Sequence, residues 1–192
     1  MTSKKNALSA EAIILKTNRL VMTIPTLTDF EEMFLLWSDP LVVANVTGQP
    51  LNREEVWARL HRIVGHWSLL GYGHWIIRER ETGAFAGEVG FFDFKRGLGE
   101  AFDSLYEIGW MLAVTAQGKG YATEAVTAAL DWLEERFEHG GTFCLVDPSN
   151  RASLNLAKKF SYEVERETTY RGRLMWVLRR ETSCRLSRRL QV

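Results

Sequence analysis

The sequence predicts a single α+β domain built on a mixed, mostly antiparallel sheet with helices on both faces. Three observations carry that reading. An early strand is followed by two capped helical patterns, three β-prone runs follow one another between turn residues, and the second half reads helix, strand, helix and hairpin. At 192 residues with 46% hydrophobic side chains, the chain is long enough for one substantial core.

Residues 19–25 alternate as a first strand, and Thr28 with Glu31 three residues later reads as a capping box. Phe30, Met33, Phe34 and Trp37 recur at helical spacing up to the stop at Asp39-Pro40. Asn52 and Glu55 repeat the capping pattern before Val56, Leu60, Ile63, Val64 and Trp67, and Gly71 closes this second helix. Residues 74–79, 84–94 and 105–114 form an antiparallel meander, broken by Glu81-Thr82-Gly83 and by the polar, glycine-containing stretch 95–104. Residues 121–137 place Ala122, Ala125, Val126, Ala129, Leu133 and Phe137 on one helical face, where alanines permit close approach to a sheet. After Gly140-Gly141 come a strand at 142–146, a helix at 149–160, and a hairpin of 162–170 with 174–179 around Arg171-Gly172-Arg173. The expected division is an N-terminal extension at 1–16, one domain at 17–180 and a tail at 181–192. Trp37, Trp57, Trp67, Trp75 and Trp110 are expected mostly in the core, with one or two free to shape a pocket.

Composition narrows the functions available. The 24 basic and 24 acidic side chains cancel, so no global positive field announces a nucleic-acid partner and function must reside in a local site. Cys144 and Cys184 supply neither a disulfide framework nor metal-ligand spacing, so no metal is expected and a reducing cytoplasm fits. The N-terminus lacks the apolar stretch of a signal peptide and no long apolar run occurs, which predicts an unexported protein without a membrane partner. Downstream of Glu165 stand eight arginines against Glu167 and Glu181, either a solvated surface or a docking face for an acidic partner or phosphate.

The chemistry concentrates in Gln117, Gly118, Lys119, Gly120, Tyr121 and Ala122, between the strand at 105–114 and the helix at 121–137. The first N–H groups of a helix lack intrahelical partners and carry partial positive charge, and glycines let an anion approach the backbone. Neither a mononucleotide P-loop nor a dinucleotide glycine motif fits, because Tyr121, Ala122 and Thr123 follow Gly118-Lys119-Gly120. Instead, Gln117-x-x-Gly120-x-Ala122 after Glu107-Ile108-Gly109-Trp110-Met111-Leu112, together with Asn150-Arg151-Ala152-Ser153 and Lys159-Phe160-Ser161-Tyr162, resembles the signature of the GNAT superfamily of acetyltransferases. Thr17-Asn18-Arg19-Leu20 and Tyr121-Ala122-Thr123-Glu124-Ala125 look most like its RimJ/RimL-like branch, whose members acetylate α-amines of ribosomal proteins while relatives act on other amines.

That resemblance implies acetyl-CoA as acyl donor, lying where the sheet splays between the fourth and fifth predicted strands, after Val114 and before Thr142. It implies that the backbone of Leu112, Ala113 and Val114 holds the pantetheine arm and the developing oxyanion. Gln117, Gly118, Lys119, Gly120, Tyr121 and Ala122 would cradle the pyrophosphate, and Asn150 and Asn155 would contact the cofactor. Lys119 either adds charge to the phosphates or is a solvated lysine; Asn150 either contacts the cofactor or caps a helix. Where many relatives carry a tyrosine as general acid this chain has Ala157, leaving Ser153 or a water to protonate a thiolate that departs readily anyway. Ser161 stands where the pattern expects glycine.

The attacking amine must be neutral. An α-amine near ~7.7–8.0 is cheaper to present as free base than lysine near ~10.4, by about 3.5 kcal/mol, which suits a modest base. Glu107 is the candidate, on the strand face opposite Ile108, Trp110 and Leu112, with a carboxylate paired to a cation as the alternative reading. Glu88 is the lesser candidate, and His66 and His74 read as packing or surface histidines. The expected activity is direct acetyl transfer to a primary amine, a protein N-terminus or a small molecule such as an antibiotic, polyamine or amino acid, by a monomer or homodimer. A non-catalytic acyl-CoA-binding module is the rival from another class.

Overall fold

Residues 13–103 and 105–182 are described in a computed structural model. Within them one sheet of eight strands runs in the order β1, β2, β3, β4, β5, β6, β8, β7. The strands are β1 (Leu15–Lys16), β2 (Leu20–Thr23), β3 (His74–Glu79), β4 (Phe85–Phe92), β5 (Tyr106–Leu112), β6 (Gly141–Val146), β7 (Glu163–Tyr170) and β8 (Arg173–Glu181). Every neighbouring pair is antiparallel except β5 with β6. The helices are α1 (Phe30–Ser38), α2 (Pro40–Val43), α3 (Arg53–Leu70), α4 (Glu100–Asp103), α5 (Tyr121–Arg136) and α6 (Arg151–Lys159). Among the described residues no helix is long and apolar enough to cross a membrane.

Strand pairing sorts the sheet into two faces. His74, Gly90 and Gly109 align across β3, β4 and β5, as do Ile76, Glu88 and Met111. This face meets α1 and α3 through Trp37 and Arg59, both bonded to Glu88. The opposite face carries Trp75, which packs edge-on against Trp132 of α5 at 5.0 Å and Trp67 at 4.8 Å. Ala125 and Ala129 are fully buried, so the small side chains let α5 lie close on the sheet. Trp37, Trp67 and Trp75 are core, whereas Trp57 is 44% exposed and Trp110 sits at the edge of a cleft.

The second predicted helix forms with the predicted signals: Asn52 Oδ1 accepts from Glu55 N–H at 2.9 Å, Glu55 returns the bond, and Gly71 closes the helix at φ +78°. The first helix starts differently. Asp29, not Glu31, accepts from the Thr26 N–H at 2.7 Å across a short 3-10 turn, because Arg78 holds that carboxylate from the other side. Glu31 pairs instead with Arg53. Pro40 does not end the helical region; it occupies the first turn of α2, where its missing N–H costs nothing, and Asp39 caps Leu41 N–H at 2.9 Å. Two short elements lie in stretches expected to be irregular, β1 in the N-terminal lead and α4 between the second and third meander strands. Cys184 and the arginines beyond Thr182 fall outside the described residues.

The feature that positions the site is a single weak seam. Parallel β5 and β6 are in register only at Tyr106 with Thr142 and Glu107 with Phe143. Beyond these pairs the strands part.

Candidate active site

The seam opens into a cleft of about 710 Å³ whose walls come from α3, the end of β4, the parted strands and the β7–β8 turn. Because Ala113 N–H donates to Ala86 O at 3.0 Å, Ala113 belongs to the bonded positions of the β4–β5 ladder. Alternation then turns the backbone groups of Ile108, Trp110 and Leu112 toward the β6 side, where the Ile108 N–H closes the last rung at Phe143 and Trp110 and Leu112 face the gap. Leu112 is thus placed to meet a ligand threaded there, and Gln117 Nε2 already donates to its carbonyl at 3.1 Å. Ala113 is not turned to that gap: its N–H donates to Ala86 O and its carbonyl accepts from Ala116 N–H. Val114 follows in a 3-10 turn with an exposed side chain.

The loop Gln117–Gly120 leads into α5 with Gly118 at φ +75° and Gly120 at φ +80°, backbone that L side chains adopt at a cost. No side chain caps α5, so its first N–H groups face outward at the positive end of a 16-residue helix. Arg19 braces the loop by donating to Lys119 O at 2.8 Å and to Glu124, and its guanidinium lies over the Tyr121 ring at 4.8 Å. Lys119 Nζ is held at 3.1 Å by Glu79, which also accepts from Tyr121 Oη. Ala122 is half-buried against the core. The loop does not line the cleft, so a ligand spanning both would have to run along the open edge of β5.

Asn150 lines the cleft and caps α6, its Oδ1 accepting from Ser153 N–H at 3.0 Å. The capping contact is therefore made by a side chain that also faces the cleft. Ser153 also lines the cleft and accepts from Trp110 Nε1 at 3.2 Å. Asn155 is exposed on α6 and is not brought to the cleft. Ala157 is fully buried in the core and Ser161 sits at φ +60°, the conformation for which glycine is the ordinary choice. Cys144 lines the cleft from β6, but burial pushes its thiol well above the usual range and makes it a poor nucleophile.

Glu107 projects into the cleft at the seam and is 4% exposed. It is not a free carboxylate: Arg96 Nε and Nη2 donate to its two oxygens at 2.6 and 2.7 Å. Burial raises its pKa, and the Arg96 contact only partly opposes that shift. Glu88 is completely buried and accepts from Trp37 Nε1, Arg59 and His74. Burial alone would raise its pKa, yet Arg59 and His74 outweigh that and hold it down at about 2. A carboxylate so solvated by protein is a fixed charge and a weak proton acceptor.

His74, read from the sequence as a packing or surface histidine, both packs and lines the cleft. Its Nδ1 lies 3.5 Å from Glu88, its ring packs on Phe92, and its Nε2 lacks a hydrogen-bond partner among the described residues while the side chain lines the cleft. Burial lowers its pKa to about 4, so the imidazole is neutral near pH 7. His66, by contrast, accepts from Asp93 N–H at 3.3 Å and packs against Phe94. Among the described residues no group of histidines, cysteines or carboxylates is arranged to hold a metal.

Residues 19–163 match the family described as Acetyltransferase (GNAT) domain. The protein YkkB of Bacillus subtilis (strain 168) is 32% identical over 128 residues, which cover 65% of this chain and 70% of YkkB. A solved structure described as a GnaT-family acetyltransferase from Bordetella pertussis is 28% identical, with a TM-score of 0.77 over 87% of this chain and 98% of that one. At 15% identity the likeness to RimL, a ribosomal-protein α-N-acetyltransferase in complex with coenzyme A, concerns the fold, with a TM-score of 0.71 over 88% of this chain and 97% of RimL.

Proposed function

The chain belongs to the GNAT acetyltransferase family, and on that premise we propose that it transfers an acetyl group from acetyl-CoA directly to a primary amine entering the cleft between α3 and the β7–β8 turn. One observation carries the reading: the backbone edge of Trp110 and Leu112, left open by β6, joins the uncapped start of α5 to the 710 Å³ cleft. RimL, of the same fold, is described in complex with coenzyme A.

The donor supplies an acetyl thioester. The backbone N–H groups that open α5 and the loop at Gly118 and Gly120 bind its pyrophosphate, and the gap-facing groups of Leu112 orient the arm. In the transfer a bond forms between the acceptor nitrogen and the carbonyl carbon, the C–S bond breaks with its electrons leaving on sulfur, and a proton leaves nitrogen. Backbone N–H at the end of β5 stabilises charge developing on the carbonyl oxygen. Glu107 accepts the proton through a water, with His74 Nε2 as the second acceptor on the same wall. Ser153, held by Trp110, relays a proton from solvent water to the departing thiolate, giving up its own proton as it takes one from the water.

Calorimetric titration with acetyl-CoA and a free-thiol assay over peptides and small amines test this reading. Cofactor binding with thiol release for at least one amine is expected. Binding without release from any amine would favour an acyl-CoA-binding module, and no binding would end the donor assignment.

A further inference from the structure

The acceptor wall of the cleft holds three guanidinium groups on two adjacent aromatic rings. Arg62 and Arg96 each lie 4.8 Å from the centroid of Phe94. Arg96 and Arg171 lie 4.3 and 5.5 Å from the centroid of Tyr170. All three arginines and both rings line the cleft.

Their charges are unevenly matched. Among the cleft's other cations Arg59 is paired with Glu88, Lys95 with Asp93 and Arg173 with Asp147, while Arg96 is paired with Glu107. The remaining cleft carboxylate, Glu55, is bonded to the Asn52 backbone at the far end of α3's first turns. Among the described residues Arg62 and Arg171 have no carboxylate partner. The repulsion is felt within the group, since burial and the neighbouring Arg59 and Arg171 together lower the pKa of Arg62. Arg173 Nη1, on the same wall, is buried without a hydrogen-bond partner among the described residues.

Backbone conformation points the same way. Tyr170 pairs with Arg173 across a two-residue turn, and Arg171 adopts φ +51° ahead of Gly172 at φ +76°. Such turns favour Asn-Gly or Gly-Gly, because a long side chain at positive φ is held there against its preference. An arginine at the tip is what places the third guanidinium over Tyr170.

Like charges gathered on one wall of a cleft favour an anion between them, and guanidinium forks match a carboxylate. We propose that the acceptor is a primary amine that also carries a carboxylate, bound by Arg62 and Arg171, and that polycationic amines are rejected. This deepens the acetyl-transfer reading of the cleft and rests on it.

The test uses the full chain with acetyl-CoA and three amines in a free-thiol assay: glutamate, its fully amidated counterpart, and a linear polyamine. A short peptide with an acidic first residue forms a fourth arm and separates a protein N-terminus from a free amino acid as the source of the same chemistry. The carboxylate-bearing amine should exceed the amidated one in kcat/KM by roughly tenfold or more, with the polyamine lowest. Arg62→Ala and Arg171→Ala should each raise KM for the carboxylate form about tenfold while acetyl-CoA affinity, measured in parallel as a check of folding, stays unchanged. Arg171→Glu should turn the preference toward the amidated form. The proposal is overturned if the amidated amine or the polyamine performs as well as the carboxylate form, or if none of the four releases thiol while acetyl-CoA binds. Failure to bind acetyl-CoA would instead strike the donor reading beneath it.

Discussion

The two halves of the site are made of different material. On the side proposed for the donor the groups on offer belong to the main chain: the open edge of β5, the turns at Gly118 and Gly120, and the uncapped first turn of α5. On the side proposed for the acceptor they belong to side chains brought from α3, β5, the stretch after β4 and the β7–β8 turn. Main-chain recognition is indifferent to most substitutions and suits a donor shared by a whole family. Side-chain recognition changes with single replacements and suits an acceptor that differs between relatives.

That contrast can be broken in three places. The largest effect is expected from Gly120→Val, which puts a β-branched residue at φ +80° and a Cβ 3.4 Å from Arg19 Nη2 in the loop proposed to hold the pyrophosphate. Acetyl-CoA affinity should fall at least about a hundredfold by calorimetry, roughly the worth of two charge-assisted hydrogen bonds. Retained affinity in a folded variant would mean that the donor side is not built of this loop.

Glu107→Gln should act on turnover alone, lowering kcat about tenfold with acetyl-CoA affinity unchanged. A proton acceptor must be ionised, so wild-type kcat should decline as pH falls through the raised pKa of this buried carboxyl, and the variant should lose that acid limb. An identical limb in both would leave Glu107 as the anchor of Arg96 and pass the proton to His74.

The smallest effect concerns stability. His74 has a folded pKa of about 4, below its ordinary 6.5, and faces Glu88, Arg59 and His66. The unfolded chain therefore binds the extra proton first, so the stabilisation is fully present above pH 6.5 and is lost as pH falls toward 4. Glu88, held at about 2, continues the loss in the same direction from pH 4.5 downward. Urea midpoints of wild type and His74→Gln between pH 7 and 4 should differ in slope by about one proton. Parallel curves would show that this imidazole does not charge on unfolding.

Legibility in the sequence follows the same division. The glycine turns, the Asn52 and Glu55 capping box and the alanine face of α5 are local patterns, and they are where the residues said they would be. Short elements such as α2 and β1 carry too few residues for periodicity to register. The Arg62, Arg96 and Arg171 cluster joins residues far apart in the chain, and the bond between Arg96 and Glu107 closes across an irregular loop, so neither leaves a periodic pattern. The basic skew after Glu165 hinted at it, yet most of the described arginines there are spent on Asp147, Glu165, Glu181 and Glu134. Only geometry separates Arg171 from them.

The two registered pairs between β5 and β6 also bear on how the molecule holds together. The sheet has a fault line there, since among the described residues its backbone is bridged only by that short ladder. Side chains off the sheet, such as Arg173 on Ala44 O, Arg180 on Glu134 and Phe102 against Phe143, tie the flanks together. A ligand lying along it acts as a suture. On the proposed donor reading it adds the missing rungs between the two flanks, so bound donor ties the first five strands to the last three and stabilises the fold by an amount that rises with the logarithm of its concentration above Kd.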